Sequence, residues 1–398
     1  MILGLDPLLV DDVDLAVVLI ALAKTLIIFT FLMIAVIFMV WFERKIIGDL
    51  QNRIGPNRAG PFGLLQTLAD GIKLIFKEDL MPDRADRFVF KLAPYLSLVP
   101  AFVTFAIVPI GGDFSGDKNG TIEVFGHTTY MQLADPPIGV LLFLAMSSIA
   151  VYGVMLAGWS SGSKYPLLGS VRATAQMVSY EAALGMSTVA VVLVSGSLAT
   201  NAIVDSQDGA IWNWNLVATG IVPFVIFLIA GTAELNRPPF DLVEAEQELV
   251  GGFHTEYSSF RFAVFYLAEF MSTVTLSAIM VTLFFGGPSG PILFGPGWMW
   301  GSIWFLAKLL AFLFMFVWFR ASLPRFRYDQ LMNLGWKILI PLSLGWLLLL
   351  IAIRVGDDEG WNPVAVVAGG FAALAAGYGL LALATRTARR NRTLEEVS

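Results

Sequence analysis

Nine stretches of this 398-residue chain are long and apolar enough to cross a lipid bilayer. They fall at about 15–42, 88–110, 137–158, 174–199, 216–234, 260–285, 298–319, 336–353 and 363–384. The hydrocarbon of a bilayer is about 30 Å thick and offers the backbone no hydrogen-bond partner, so a span of about 20 residues must close its own bonds as a helix. That constraint predicts an all-α polytopic membrane protein with about nine transmembrane helices. Only 14% of residues are charged, against roughly 25% in soluble domains. No soluble domain of useful size is expected between the spans.

The placement of lysine and arginine predicts the topology. The first connection carries Arg44, Lys45, Arg53, Arg58, Lys73, Lys77, Arg84 and Arg87. The third carries Lys164 and Arg172, the fifth Arg237, and the seventh Arg320, Arg325 and Arg327. The even-numbered connections carry only Lys118 and Arg354, while Arg386, Arg389, Arg390 and Arg392 follow the last run. Positive charge stays in the cytoplasm, so the odd connections and the C-terminus are expected there, and the acidic N-terminus (Asp6, Asp11, Asp12, Asp14) outside. The first residues form no basic region with a small-residue cleavage site, so no cleaved signal peptide is expected. The chain has no cysteine, which excludes disulfides, thiolate zinc sites and iron–sulfur ligation. With only His127 and His254, a haem held by two histidines on facing helices is disfavoured as well. Any electron transfer would use redox centres in other chains.

Within the first connection, Leu65, Leu68, Ile72, Ile75 and Phe76 recur at helical spacing, opposite Gln66, Asp70, Lys73 and Lys77. The pattern predicts an amphipathic helix along the membrane surface. The turn-rich Gly55-Pro56-Asn57-Arg58 and Gly60-Pro61 introduce it. Such a helix either packs on the bundle or forms a lid or entrance for an amphiphile.

Carboxylates crowd the segment from Gly231 to Glu256. Glu234, Asp241, Glu244, Glu246, Glu248 and Glu256 share it with one base, Arg237. At the edge of hydrocarbon these charges are costly, and like charges this close cannot all ionise cheaply. Pro238-Pro239 ends the fifth helix, and Asp241, Glu244 and Glu248 then fall on one face of any helix that restarts, with Glu246 elsewhere. Glu234 and Arg237, three apart, are expected to pair across the break. The interleaved Leu242, Val243, Leu249, Val250 and Phe253 need burial, which favours a protein interface or a cavity wall over a solvated acidic loop. The polar loops Gly158 to Arg172 and Arg320 to Gln330 would frame the same pocket. Inside the spans lie Lys24, Glu181, Glu269 and Lys308. Buried ionisable groups mark ion or proton paths. Glu181 and Glu269 are read that way. Lys308 is either a path residue or a structural partner of one of them, and Lys24 is a snorkelling side chain.

Four long motifs carry a family resemblance: ERKIIGDLQNRIGPNRAGPFGLLQTLADGIKLIFKE (43–78), GWSSGSKYPLLGSVRATAQMVSYE (158–181), AELNRPPFDLVEAEQELVGGFHTEY (233–257) and RASLPRFRYDQLMNLGWK (320–337). Together, in this order, they resemble the membrane subunit at the quinone site of respiratory complex I, a NADH-quinone oxidoreductase; it is the H subunit in bacteria and subunit 1 in mitochondria. The resemblance spans residues 15–353. It implies an eight-helix domain (1–353) with a tunnel that admits quinone from the bilayer, extended here by an extra helix and basic tail (354–398). By motif position, Glu43, Arg44, Arg53, Glu234, Arg237, Phe240, Asp241, Glu244, Glu246 and Glu248 match the quinone chamber. Glu181, Glu234 and Glu269, with Lys308 in addition, would form a proton path towards antiporter-like subunits. The resemblance also implies ubiquinone or menaquinone as substrate, and no catalytic residue, metal site or covalent cofactor in this chain. NADH, FMN and iron–sulfur clusters would belong to partner subunits. The implied partners are the hydrophilic quinone-site subunits, small membrane subunits, antiporter-like subunits and membrane lipid, with no nucleic acid, in a bacterial plasma membrane. Thr67 departs from the family's frequent proline. Two other functions fit the same residues: the related component of a membrane-bound hydrogenase-type complex, and a stand-alone proton-coupled transporter.

Overall fold

A computed structural model describes residues 6–9, 14–114, 118–242 and 249–395. Helix α1 spans Leu15–Leu50, opened by the Asp14 side chain, which accepts from the Val17 amide at 2.9 Å. Its 36 residues exceed the sequence expectation by eight, because no helix breaker intervenes before Asn52, whose φ is 53°. The overrun carries Glu43 and Arg44 on a rigid rod. The surface helix α2 is Gln66–Phe76, and its apolar side chains Leu68, Ile72, Ile75 and Phe76 are not covered by the bundle, as in an amphipathic surface helix.

The chain then runs through α3 (Arg87–Phe105), a hairpin of β1 (Thr121–Val124) and β2 (His127–Tyr130), α4 (Gly139–Ser160) and α5 (Lys164–Ser195). Short helices α6 (Thr200–Asp205) and α7 (Asn215–Ala218) precede α8 (Ile221–Glu234). After the acidic segment come α9 (Ser259–Phe284) and α10 (Gly297–Ser322). The last elements are α11 (Tyr328–Leu334), joined through a π-helical turn at Gly335–Leu339 to α12 (Ile340–Asp358), and α13 (Pro363–Glu395). The strands pair antiparallel, Thr121 opposite Tyr130. Among the described residues, seven helices are long and apolar enough to cross a membrane, α11 and α12 counting as one; Ile221–Glu234 and Val364–Gly377 are shorter apolar pieces. The fold is an all-α polytopic membrane bundle.

Helix α9 is the hub. Its most apolar window is 83% buried, against 28% for α1 and 22% for the Tyr328–Asp358 span. Phe270, Val274, Ile279 and Phe284 on α9 join Leu32, Phe105, Phe227 and Phe305 in one core. Two expected boundaries move. Helix α5 begins at Lys164, so the polar loop expected through Arg172 is mostly helix. The fifth span starts at Ile221 because Gly220, at φ 76°, breaks the chain beneath Trp346.

The odd-numbered connections converge at one end of the bundle. The Asp86 amide donates to Ser160 O at 3.0 Å, and the Phe326 amide donates to Pro239 O at 3.2 Å. Leu80 N donates to Ser258 Oγ at 2.9 Å. At the other end, the Thr129 hydroxyl bonds Asp6 at 2.9 Å and the Asn201 side-chain amide donates to Asn119 O at 2.7 Å. Lys24 bonds Asp6 at 2.5 Å there.

Glycine permits a close joint at the first end. A Cβ on Gly169 of α5 would lie 2.8 Å from Gly252 backbone atoms just after the acidic segment, whereas a Cβ on Gly185 meets nothing within 4 Å. Gly169→Val is expected to destabilise the protein by about 1–3 kcal/mol through overpacking, seen as a lower unfolding midpoint in detergent. Gly185→Ala serves as the silent control, and equal midpoints would contradict this packing.

A charged cluster between two cavities

Four elements bring charges to one point. The overrun of α1 supplies Glu43, the turn after α8 supplies Arg237, α9 supplies Glu269, and the end of α10 supplies Arg320. Glu43 and Arg237 are each 5% exposed. Arg237 Nη1 donates to Glu43 Oε2 at 3.0 Å, and its Nε lies 2.9 Å from Glu269 Oε1. The other Glu43 oxygen takes Arg320. Two acids and two bases thus balance. Burial of ions is tolerable only with such pairing, and the planar guanidinium fork suits two carboxylates better than a lysine would. The Arg237 guanidinium also sits 4.2 Å above the Phe270 ring, a cation–π contact in a desolvated setting.

The turn that presents Arg237 is held from α5. Gln176 Nε2 donates to Ala233 O at 2.7 Å, to Asn236 at 3.1 Å and to Phe240 O at 3.1 Å. Phe240 is buried, stacked on Phe326 at 5.5 Å and tilted on Tyr180 at 5.8 Å. Asp241 accepts from Arg325 at 3.3 Å. The acidic segment thus touches both polar loops, through Gly252 against Gly169 and through Asp241 and Pro239 against Arg325 and Phe326, while neither loop lines the two cavities described next.

Two cavities flank the cluster. The larger, about 720 Å³, lies between α1, α2, α3 and α9. Its lining is mostly apolar (Val36, Val40, Leu68, Ile72, Leu98), with Arg44 and Asp70 bonded at 2.5 Å on one wall. The smaller, about 180 Å³, lies between α3, α4, α8 and α9 and is lined by Ser97, Ser147, Glu234, His254 and Glu269. Phe262 and Tyr266 line both. Burial holds His254 below its ordinary pKa, against the opposing charges of Glu269 and Asp241.

The sequence-predicted residues separate accordingly. Glu43, Arg237, Glu269, Phe240 and Asp241 come together, and Arg44 lies on the apolar cavity. Glu234 does not pair with Arg237 as its spacing predicts. It accepts the Ser147 hydroxyl from α4 and turns into the small cavity, because Arg237 lies beyond the helix end and faces Glu43. Glu181 accepts the Ser148 hydroxyl. Arg53 is exposed and donates to Gln51 at 2.7 Å. Lys308 bonds away from both glutamates: it donates to the Phe285, Gly287 and Ser289 carbonyls at 2.7, 3.0 and 2.8 Å, with Trp214 at 4.8 Å. Those carbonyls follow the end of α9, where a cation complements the helix dipole. Glu244, Glu246 and Glu248 lie outside the described residues. Among the described residues no group of three His, Asp or Glu could hold a metal ion.

Sequence reasoning misses the Glu43–Arg320 bond, 277 positions apart, and the roles of Gln176, Tyr266, Ser147 and Ser148. A glutamine and two adjacent serines inside apolar runs are the signals that could have found three of these.

A family model described as NADH dehydrogenase matches residues 23–351. A relative from Frankia alni, named as the H subunit of NADH-quinone oxidoreductase, is 52% identical over 343 residues, 85% of this chain and 73% of the relative. One of the same name from Frankia casuarinae is 52% identical over 340 residues, 84% of this chain and 72% of the relative. The matched region contains every charged member of the cluster and ends within α12.

Proposed function

The chain belongs to the NADH dehydrogenase family, and from that premise we propose that it is the quinone-site membrane subunit of a proton-pumping NADH:quinone oxidoreductase. The observation that carries this reading is the pair of cavities with one shared wall and a balanced ion cluster behind it. A quinone has a long apolar tail and a small polar head, and its reduction takes two electrons and two protons. The larger cavity offers the tail an apolar track beside the surface helix, with Arg44 and Asp70 as polar groups within it. By motif position, Glu43, Arg53, Glu234, Arg237, Phe240 and Asp241 are assigned to the chamber, as are Glu244, Glu246 and Glu248, which lie outside the described residues. The electrons come from NADH through FMN and iron–sulfur clusters in partner subunits, since this chain has no cysteine to ligate a cluster.

Quinone reduction changes the charge beside the Glu43–Arg237–Glu269 cluster, and protons then redistribute among Glu269, Glu234 and Glu181 in the bundle. Lys308 marks the outer end of this path. The convergent connections face the cytoplasm and the hydrophilic partner subunits, and the N-terminus faces outward. Antiporter-like and small membrane subunits receive the path. Residues 354–398 are an addition to the family domain, beyond the matched region.

Narrowing the larger cavity tests the reading. Ile72→Trp is expected to raise the KM for a long-tailed quinone by about tenfold, the equivalent of about 1.4 kcal/mol of overpacking. NADH-driven reduction of a water-soluble acceptor by the same complex stays unchanged. An unaltered KM for quinone counts against this cavity as the tail site.

A further inference from the structure

We infer that Ser147 and Ser148 make α4 the crossing point between the small cavity and Glu181, each hydroxyl positioning one carboxylate of the proton path. The inference rests on the proton-path reading above. Adjacent residues on a helix project about 100° apart, so two consecutive serines serve two neighbours. Ser147 donates to Glu234 at the end of α8, and Ser148 donates to Glu181 on α5. Glu234 and Ser147 line the small cavity; Glu181 is outside its lining. The two serines therefore face two neighbours of one helix, one toward an acid that meets the cavity and one toward an acid that does not.

A hydroxyl both donates and accepts, which lets it satisfy a carboxyl group in either protonation state. Ser148 shows how. Its oxygen also lies 3.2 Å from Leu144 O. With Glu181 ionised, the Ser148 proton points at the carboxylate. With Glu181 protonated, the acid donates to Ser148 Oγ and the serine proton turns to Leu144 O. No bond to a buried polar atom is lost in either state. An alanine at 147 or 148 offers neither partner, and a desolvated carboxyl group then loses its hydrogen bond.

The experiment uses the intact complex in proteoliposomes. Ser147→Ala and Ser148→Ala are expected to lower NADH-driven proton pumping several-fold with assembly retained. Ser147→Thr and Ser148→Thr, which keep the hydroxyl, restore it. Redox-difference infrared spectra lose or shift a protonated-carboxyl band in the alanine variants only. Wild-type pumping in both alanine variants overturns the assignment. If an alanine variant does not assemble, Ser147→Cys and Ser148→Cys carry the same test, being isosteric but weak donors, and wild-type pumping in them is equally fatal. Glu181→Gln separates the two readings. If it pumps as wild type, the proton path itself fails; if it abolishes pumping while the serine variants pump normally, only the serine assignment fails.

Discussion

Arg237→Met is expected to be the most damaging single substitution in the bundle, destabilising the protein by about 3–5 kcal/mol. Arg237 is 5% exposed and serves Glu43 and Glu269 together. Methionine fills a similar volume and can lie on Phe270, so packing changes little. The loss is electrostatic, because it leaves Glu269 without that guanidinium and Glu43 with Arg320 alone. Removing one partner of a buried ion set costs far more than the set contributes when intact. The measurement is the yield and unfolding midpoint of the assembled protein. Adding Glu269→Gln to Arg237→Met should recover part of the loss, since the residues share one network and their effects do not add. Arg320→Met should be milder, because its side chain is 41% exposed and water can replace it at the Glu43 edge. A wild-type midpoint for Arg237→Met would show that the pairing contributes nothing.

Glu234→Gln is expected to leave assembly intact and to lower proton pumping by about 100-fold, in the range lost with a positioned acid or base. Glutamine is nearly isosteric, and its amide oxygen still accepts from Ser147. The substitution removes the ability to take up and release a proton and little else. Pumping is read from the acidification of proteoliposomes on NADH addition, alongside uncoupled quinone reduction. Normal acidification in this variant would remove Glu234 from the path.

Much of the fold is legible in the residues because hydrocarbon leaves so few options. Each apolar run corresponds to a helix, and the hydrophobic spacing from Leu65 to Phe76 gives the surface helix. The boundaries drift where the physics changes from hydrocarbon to water. Helix α1 continues to Leu50 and α5 starts at Lys164 because helices do not stop where the lipid does. The β1–β2 hairpin is not legible, being short and polar. Of the site, the residue types are legible and their partners are not. Glu234 and Arg237 are neighbours in sequence, so local spacing pairs them. The structure instead gives Arg237 to Glu43, 194 positions away. Such long-range pairs leave no periodic signature in a single chain. Ser147 and Ser148 escape notice because serine is common enough in membrane helices to look like packing.

Helix α8 has a further, electrical consequence. Its 14 residues rise about 21 Å at about 1.5 Å each, against about 30 Å of hydrocarbon. The missing length is replaced, at the end away from Glu234, by the break at Gly220 and by the carbonyl-lined nest of Lys308, near which Phe224 of α8 packs on Phe285. A transmembrane potential falls across the insulating part of the barrier, and polar matter that intrudes from one side thins the insulator. Moving one unit charge through the whole drop exchanges about 2.3 kcal/mol per 100 mV. Along α8 that energy is compressed into about two-thirds of the usual distance. The span that looks too short for its membrane thus steepens the local field, and Glu234 sits at the C-terminal end of it.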